Sequence, residues 1–224
     1  MMKKNGFTLA EVLITLAIIG VVATLTLPAL MTNTAEQQSI TAFKKLINTL
    51  TEAGQMNAAM NGFDFSISTT GVKGDSADSG TISMWALFDD RLQVNEKTSG
   101  VGFTNHAKEA DDMCKGTNTI VLRDNTAICL QGMKTDSNAN NDVYWNIYVD
   151  TNGMKGPNQK SYCAEEGCKD KAKRAIKDQF PVTLYKGMAF PGHWDAIYSE
   201  SATSDVNGAY AARYAMGVAT QNKS

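Results

Sequence analysis

Glu11 is a lone carboxylate at the mouth of an apolar run, since Val12 to Met31 holds twenty residues and no charge. A carboxylate carried deep into a membrane costs about 2.5–3.5 kcal/mol even on the mild insertion scale. Such an acid calls for a partner, because a lone buried carboxylate is expensive. The simpler alternative is headgroup depth, with Glu11 bonded to its own helix start. A second set of oxygens, Asp150, Asn152, Asn158 and Asp178, surrounds a glycine-rich turn. Oxygen donors of this kind suit calcium. An EF-hand is excluded, because the sixth position from Asp150 is Lys155 and the twelfth is Ser161. The plain alternative is that Asp150 and Asn152 bond their own backbone to hold a turn.

Four cysteines, Cys114, Cys129, Cys163 and Cys168, form an even set with three possible connectivities. In an exported body they read as two disulfides between sequence neighbours, Cys114–Cys129 and Cys163–Cys168. A zinc site would want paired short spacings such as C-x2-C, which are absent. Two histidines, His106 and His193, lie far apart without a nucleophile motif. No G-x-S-x-G, H-E-x-x-H, P-loop or dinucleotide fingerprint occurs, so the chain reads as a non-enzyme with no cofactor beyond a structural calcium. No basic stripe supports nucleic-acid binding. Lys169, Lys171, Lys173 and Arg174, interleaved with Asp170, read as a solvated face.

The element that carries Glu11 starts behind a short basic leader with Lys3 and Lys4. The apolar run matches the roughly 20 residues a helix needs to cross the hydrocarbon core. Lysines before it hold that end in the cytoplasm and leave the body outside. Losing Lys3 and Lys4 in processing would take the formal charge from −2 to −4. An ordinary secretory signal has an apolar run of only about 7–15 residues and a small-x-small site. Thr32-Asn33-Thr34-Ala35 is a poor one. A plain signal anchor leaves Glu11 unexplained.

Gly6-Phe7-Thr8-Leu9-Ala10-Glu11 resembles the processing site of type IV prepilins and type II secretion pseudopilins. The resemblance covers roughly residues 1–60. It implies cleavage between Gly6 and Phe7, and methylation of the new Phe7 amine to N-methylphenylalanine. It places Glu11 where the family keeps its glutamate and Pro28 where the family often carries proline. It further implies storage in the bacterial inner membrane and later filament assembly. The implied partners are prepilin peptidase, the inner-membrane assembly platform, and other pilins or pseudopilins. The segment from Asp150 to Asn158, followed by Asp178, Gln179 and Phe180, also resembles a C-terminal stretch of some pilin-like proteins, and some pseudopilins hold calcium in such a loop.

Past Met31, Ile40, Phe43, Leu46, Ile47, Leu50 and Ala53 recur at helical spacing, with Glu36, Lys44 and Asn48 among the residues between. A helix stop is expected at Asn61-Gly62, and Pro28 should bend or loosen the helix. Gly20 would permit close helix packing. This divides the chain into a leader (1–6), a membrane or filament-core half-helix (7–31), an amphipathic half-helix (32–61) and a head (62–224). In the head, Phe63–Gly80 reads as a surface loop and Asn95–Lys115 as irregular. Thr81–Leu92 reads as a short helix. Strands are expected over Thr119–Arg123, Thr126–Gln131, Val143–Val149 and Pro181–Lys186, the first two joined at Asp124-Asn125. The aromatics of the tail, Trp194, Tyr198, Tyr210 and Tyr214, should cover the sheet. The expected class is α+β, a long helix packed on a small antiparallel sheet.

Overall fold

A computed structural model describes residues 7–66, 84–98, 118–136, 142–153, 156, 158–193 and 206–218. The chain forms two compact units, Met1–Gln38 and Ser39–Ser224. One helix, α1 (Leu9–Asn61), supplies residues to both. It stops where expected: Gly62 takes the left-handed φ of 75° that a residue with a Cβ resists. The described part of the first unit, residues 7–38, is helix apart from Phe7 and Thr8. Pro28 lies within this helix, and its side chain is outside the described residues.

The second unit is α+β. After α1 come α2 (Met84–Arg91), β1 (Val94–Thr98), β2 (Asn118–Leu122), β3 (Ala127–Asp136), β4 (Asp142–Asp150), β5 (Tyr162–Cys163), a short 3-10 turn (Lys171–Lys173), β6 (Arg174–Ala175), β7 (Gln179–Tyr185), β8 (Met188–Pro191) and α3 (Val206–Met216). The main sheet is antiparallel in the order β1-β2-β3-β4-β7-β8, and β5 pairs with β6 apart from it.

The sheet alternates as its pleat requires. Ile120, Ile128, Leu130, Trp145, Ile147, Val149, Phe180, Val182 and Leu184 face one core. Ala127, Cys129 and Tyr148 form a cluster of their own, to which Val121 adds. Ile40, Phe43, Leu46, Ile47, Leu50 and Ala53 of α1 all enter the larger core, as their spacing predicts. Phe43 stacks on Phe180 with ring centroids 4.2 Å apart. The Pro181 carbonyl accepts from Gly192, just past the end of β8. An antiparallel residue turns its N and O to the same neighbour, so the missing N–H would have met the Gly192 carbonyl, which accepts from the Thr183 hydroxyl at 2.8 Å instead.

Several elements differ from the sequence reading. Part of the supposed surface loop is core: Phe65 is fully buried, meets Phe88 at 6.3 Å, and sits so close to Gly54 that a Cβ there would lie 2.5 Å from its ring. Residues 67–83 are outside the described region. Asn95–Lys115 is not irregular throughout, because β1 occupies its start. An edge strand has one neighbour, so its Asn95-Glu96-Lys97 stretch carries no apolar alternation. β8 and α3 lie in the tail that had no assigned elements. α3 buries Gly208, Ala209, Ala211, Ala212 and Ala215. Its buried stripe is made of small residues, which give a weak hydrophobic signal but allow close packing. Tyr210 and Tyr214 of α3 pack against the core as expected. Trp194 and Tyr198 are outside the described residues.

Candidate functional site

The helix start is built from four residues. Thr8 precedes α1, and its backbone N–H and hydroxyl donate to Glu11 Oε2 at 2.8 and 2.9 Å. The Glu11 N–H donates back to the Thr8 hydroxyl at 3.3 Å. This is a capping box, which satisfies amides the helix itself cannot pair. The pattern Thr8-Leu9-Ala10-Glu11 was visible in the sequence, but Thr8 had been given no role. The single chain therefore shows Glu11 bonded to its own helix start. Both donors converge on one carboxylate oxygen, and Oε1 accepts no hydrogen bond among the described residues.

Among the described residues, Leu9–Leu27 is long and apolar enough to cross a membrane, with a mean hydropathy of 2.3 and none of it buried. Its hydroxyls are hidden locally. Thr15, Thr24 and Thr26 donate to the carbonyls of Val12, Val21 and Val22 of their own helix. Phe7 is 89% exposed, and Leu16, Ile19 and Met31 are exposed too. A Cβ at Gly20 would meet nothing within 4 Å, so no packing among the described residues explains that glycine.

Gly6 lies outside the described residues. Residues 1–27 match the family model of the prokaryotic N-terminal methylation motif. The chain carries a prepilin-type signal. No curated protein and no solved structure matches the chain. The prepilin-type signal is that of type IV pilins and pseudopilins, and it implies processing by prepilin peptidase and assembly with other pilins. It indicates a structural protein rather than an enzyme. Together with the apolar helix it fits membrane anchoring.

The fold brings together all four residues of the candidate calcium turn, at the joined ends of β4 and β7. Asp178 Oδ2 accepts from Asn152 Nδ2 at 3.2 Å and from the Asn158 N–H at 2.8 Å, while Oδ1 accepts from the Gln159 N–H at 2.8 Å. Asp150 Oδ1 accepts from the Asn152 N–H at 3.1 Å, and Oδ2 from Gln179 Nε2 at 2.9 Å. Each of these carboxylate oxygens thus faces an N–H, and a cation would have to displace it. Among the described residues no group of three or more His, Cys, Asp or Glu is arranged to hold a metal ion. Asn152 Oδ1 is buried without a hydrogen-bond partner among the described residues. Burial pushes the Asp150 carboxyl up to about 7; Gln179 opposes the rise and the Asp178 carboxylate adds to it. Gln179 is a participant the sequence reading did not single out.

Cys163 and Cys168 are bonded to each other. Cys129 is also in a disulfide, and Cys114 lies outside the described residues. Within the basic cluster, Lys173 pairs with Glu165 at 3.5 Å and Asp170 at 3.8 Å. Arg174 is not merely solvated. Its Nη1 donates to the Cys168 carbonyl at 3.1 Å, and its guanidinium lies 4.4 Å from the Tyr214 ring centroid. It joins the disulfide loop to α3.

Proposed function

We propose that the chain is a structural subunit of a type IV pilus-like filament. It inserts in the bacterial inner membrane with its N-terminus cytoplasmic, held there by Lys3 and Lys4. Prepilin peptidase cuts between Gly6 and Phe7 and methylates Phe7. The subunits then polymerise through the exposed first half of α1. Glu11 carries this reading. Its capping box uses Thr8, which stays on the mature chain, and leaves one carboxylate oxygen open. The ammonium on a neighbour's Phe7 is a partner of the right charge. In a nearly dry filament core such a pair replaces a lone buried charge, and this fixes subunit register. Gly20 and Pro28 belong to the same assembly surface, Gly20 by allowing helices to approach closely.

A pseudopilin of a type II secretion system would use the same N-terminus. The four cysteines and the long tail lean toward a pilin or minor pilin. The test is to purify surface fibres and sequence the N-terminal peptide. It should begin at methylated Phe7. Replacing Glu11 with Ala should leave membrane insertion intact and reduce incorporation into fibres at least tenfold. Normal incorporation at normal protein levels would sink the register role, and a mature protein starting elsewhere would sink the processing.

A further inference from the structure

A groove of about 550 Å³ lies in the second unit, between α1 and the β2–β3 turn. That volume is within the roughly 300–1,000 Å³ range of small-molecule sites. Its floor is apolar, formed by Leu46, Leu92 and Leu122. Its rim is cationic, with Lys45, Arg91 and Arg123. The single acid among the described lining residues, Asp124, is engaged: Lys45 Nζ donates to its Oδ2 at 3.0 Å, and the Thr126 N–H to its Oδ1 at 3.1 Å. The rim therefore keeps a surplus of positive charge on a chain whose formal charge is −2.

The donors available to a guest are the cations and the neutral amide of Gln93. The Thr49 hydroxyl is spent on the Lys45 carbonyl, and the Thr151 hydroxyl on the Asp178 carbonyl. Arg91 directs its Nε at Asn57 Oδ1, 3.4 Å away, which leaves the outer end of the fork. The Arg123 side chain makes no hydrogen bond or ion pair among the described residues. Guanidinium forks match carboxylate, sulfonate and phosphate oxygens, and desolvated apolar floor favours a hydrocarbon or aromatic body.

We propose that this groove binds a small amphipathic anion, its acidic group at Arg91 and Arg123 and its apolar body on the three leucines. The proposal stands whether or not the chain polymerises. The probe is 2-naphthalenesulfonate, titrated into the full chain in detergent, with empty micelles subtracted and uncharged 2-naphthalenemethanol in parallel. Calorimetry gives the affinity, and methyl NMR of the wild type gives the place. The expected result is saturable binding that shifts the methyls of Leu46, Leu92 and Leu122. The alcohol, the double variant Arg91→Gln/Arg123→Gln and the groove-filling Ala42→Trp should each bind at least tenfold more weakly. Raising sodium chloride to 0.5 M should weaken the sulfonate too. Arg213→Gln, remote in sequence on α3, should bind as wild type does. The proposal is overturned by absent saturation, by shifts confined to other methyls, or by undiminished binding of the alcohol or the double variant. Undiminished binding to Ala42→Trp overturns it as well. If Ala42→Trp fails to fold, the wild-type methyl shifts and the double variant decide the matter.

Discussion

Asp150 and Glu11 are both acids in demanding places, and their surroundings treat them differently. Glu11 is exposed in the single chain and takes up the amide and hydroxyl of Thr8. Asp150 is only 2% exposed and lies near a second buried carboxylate, Asp178. Its folded pKa of about 7 stands above the ordinary 3.8. The folded state therefore holds the proton more tightly than the unfolded chain. Stability from this group is full below about pH 4 and is lost as pH rises through 7. Asp150→Asn keeps an oxygen for the Asn152 amide and removes the ionisation. Thermal melts from pH 5 to 8 should show a fall for wild type that is flattened in the variant. Parallel slopes would refute the assignment. Legibility at this scale was partial. The T-x-x-E spacing and the acids of the turn could be read directly. The sharing of Asn152 between Asp150 and Asp178 could not, because they are 28 positions apart and meet only when β4 and β7 pair.

At the scale of elements, α1 carries two kinds of surface. Its first half exposes apolar side chains on every side, as Leu9, Leu16 and Met31 illustrate. Its second half buries one stripe and wets the other. Phe43 sits at the centre of that stripe against Phe180. Phe43→Ala should cost about 3–5 kcal/mol, since it removes both buried area and a ring contact. Chemical denaturation of the full chain in detergent would measure it; a loss under about 1 kcal/mol would mean the site collapses around the gap. The helix was legible because a repeat at 3.6 residues is a local property. β1 and α3 were not legible. One is a polar edge strand, and the other buries mainly alanine and glycine, so neither has a strong apolar rhythm.

Across the whole molecule, the C-terminal helix α3 is held in two ways, by Ala211, Ala212 and Ala215 in the main core and by a link to a disulfide loop. Cys163–Cys168 closes a short loop, and Arg174 links that loop to Tyr214 on α3. Replacing both cysteines with serine should cost about 2 kcal/mol by the loop-entropy relation. It should also speed proteolysis within 206–218 more than within the β4–β7 pair. Equal protection in both regions would show that α3 docks without the loop. The sequence alone determined the N-terminal signal, the apolar span, the buried stripe of α1 and the class of the head. Each is written in contiguous residues, where spacing and charge act locally. Only the tertiary structure decided that Phe65 is core, that two buried aspartates share one asparagine, and that three leucines and three cations line a common groove. Those facts depend on residues far apart in sequence being held together by packing, and no local period encodes that.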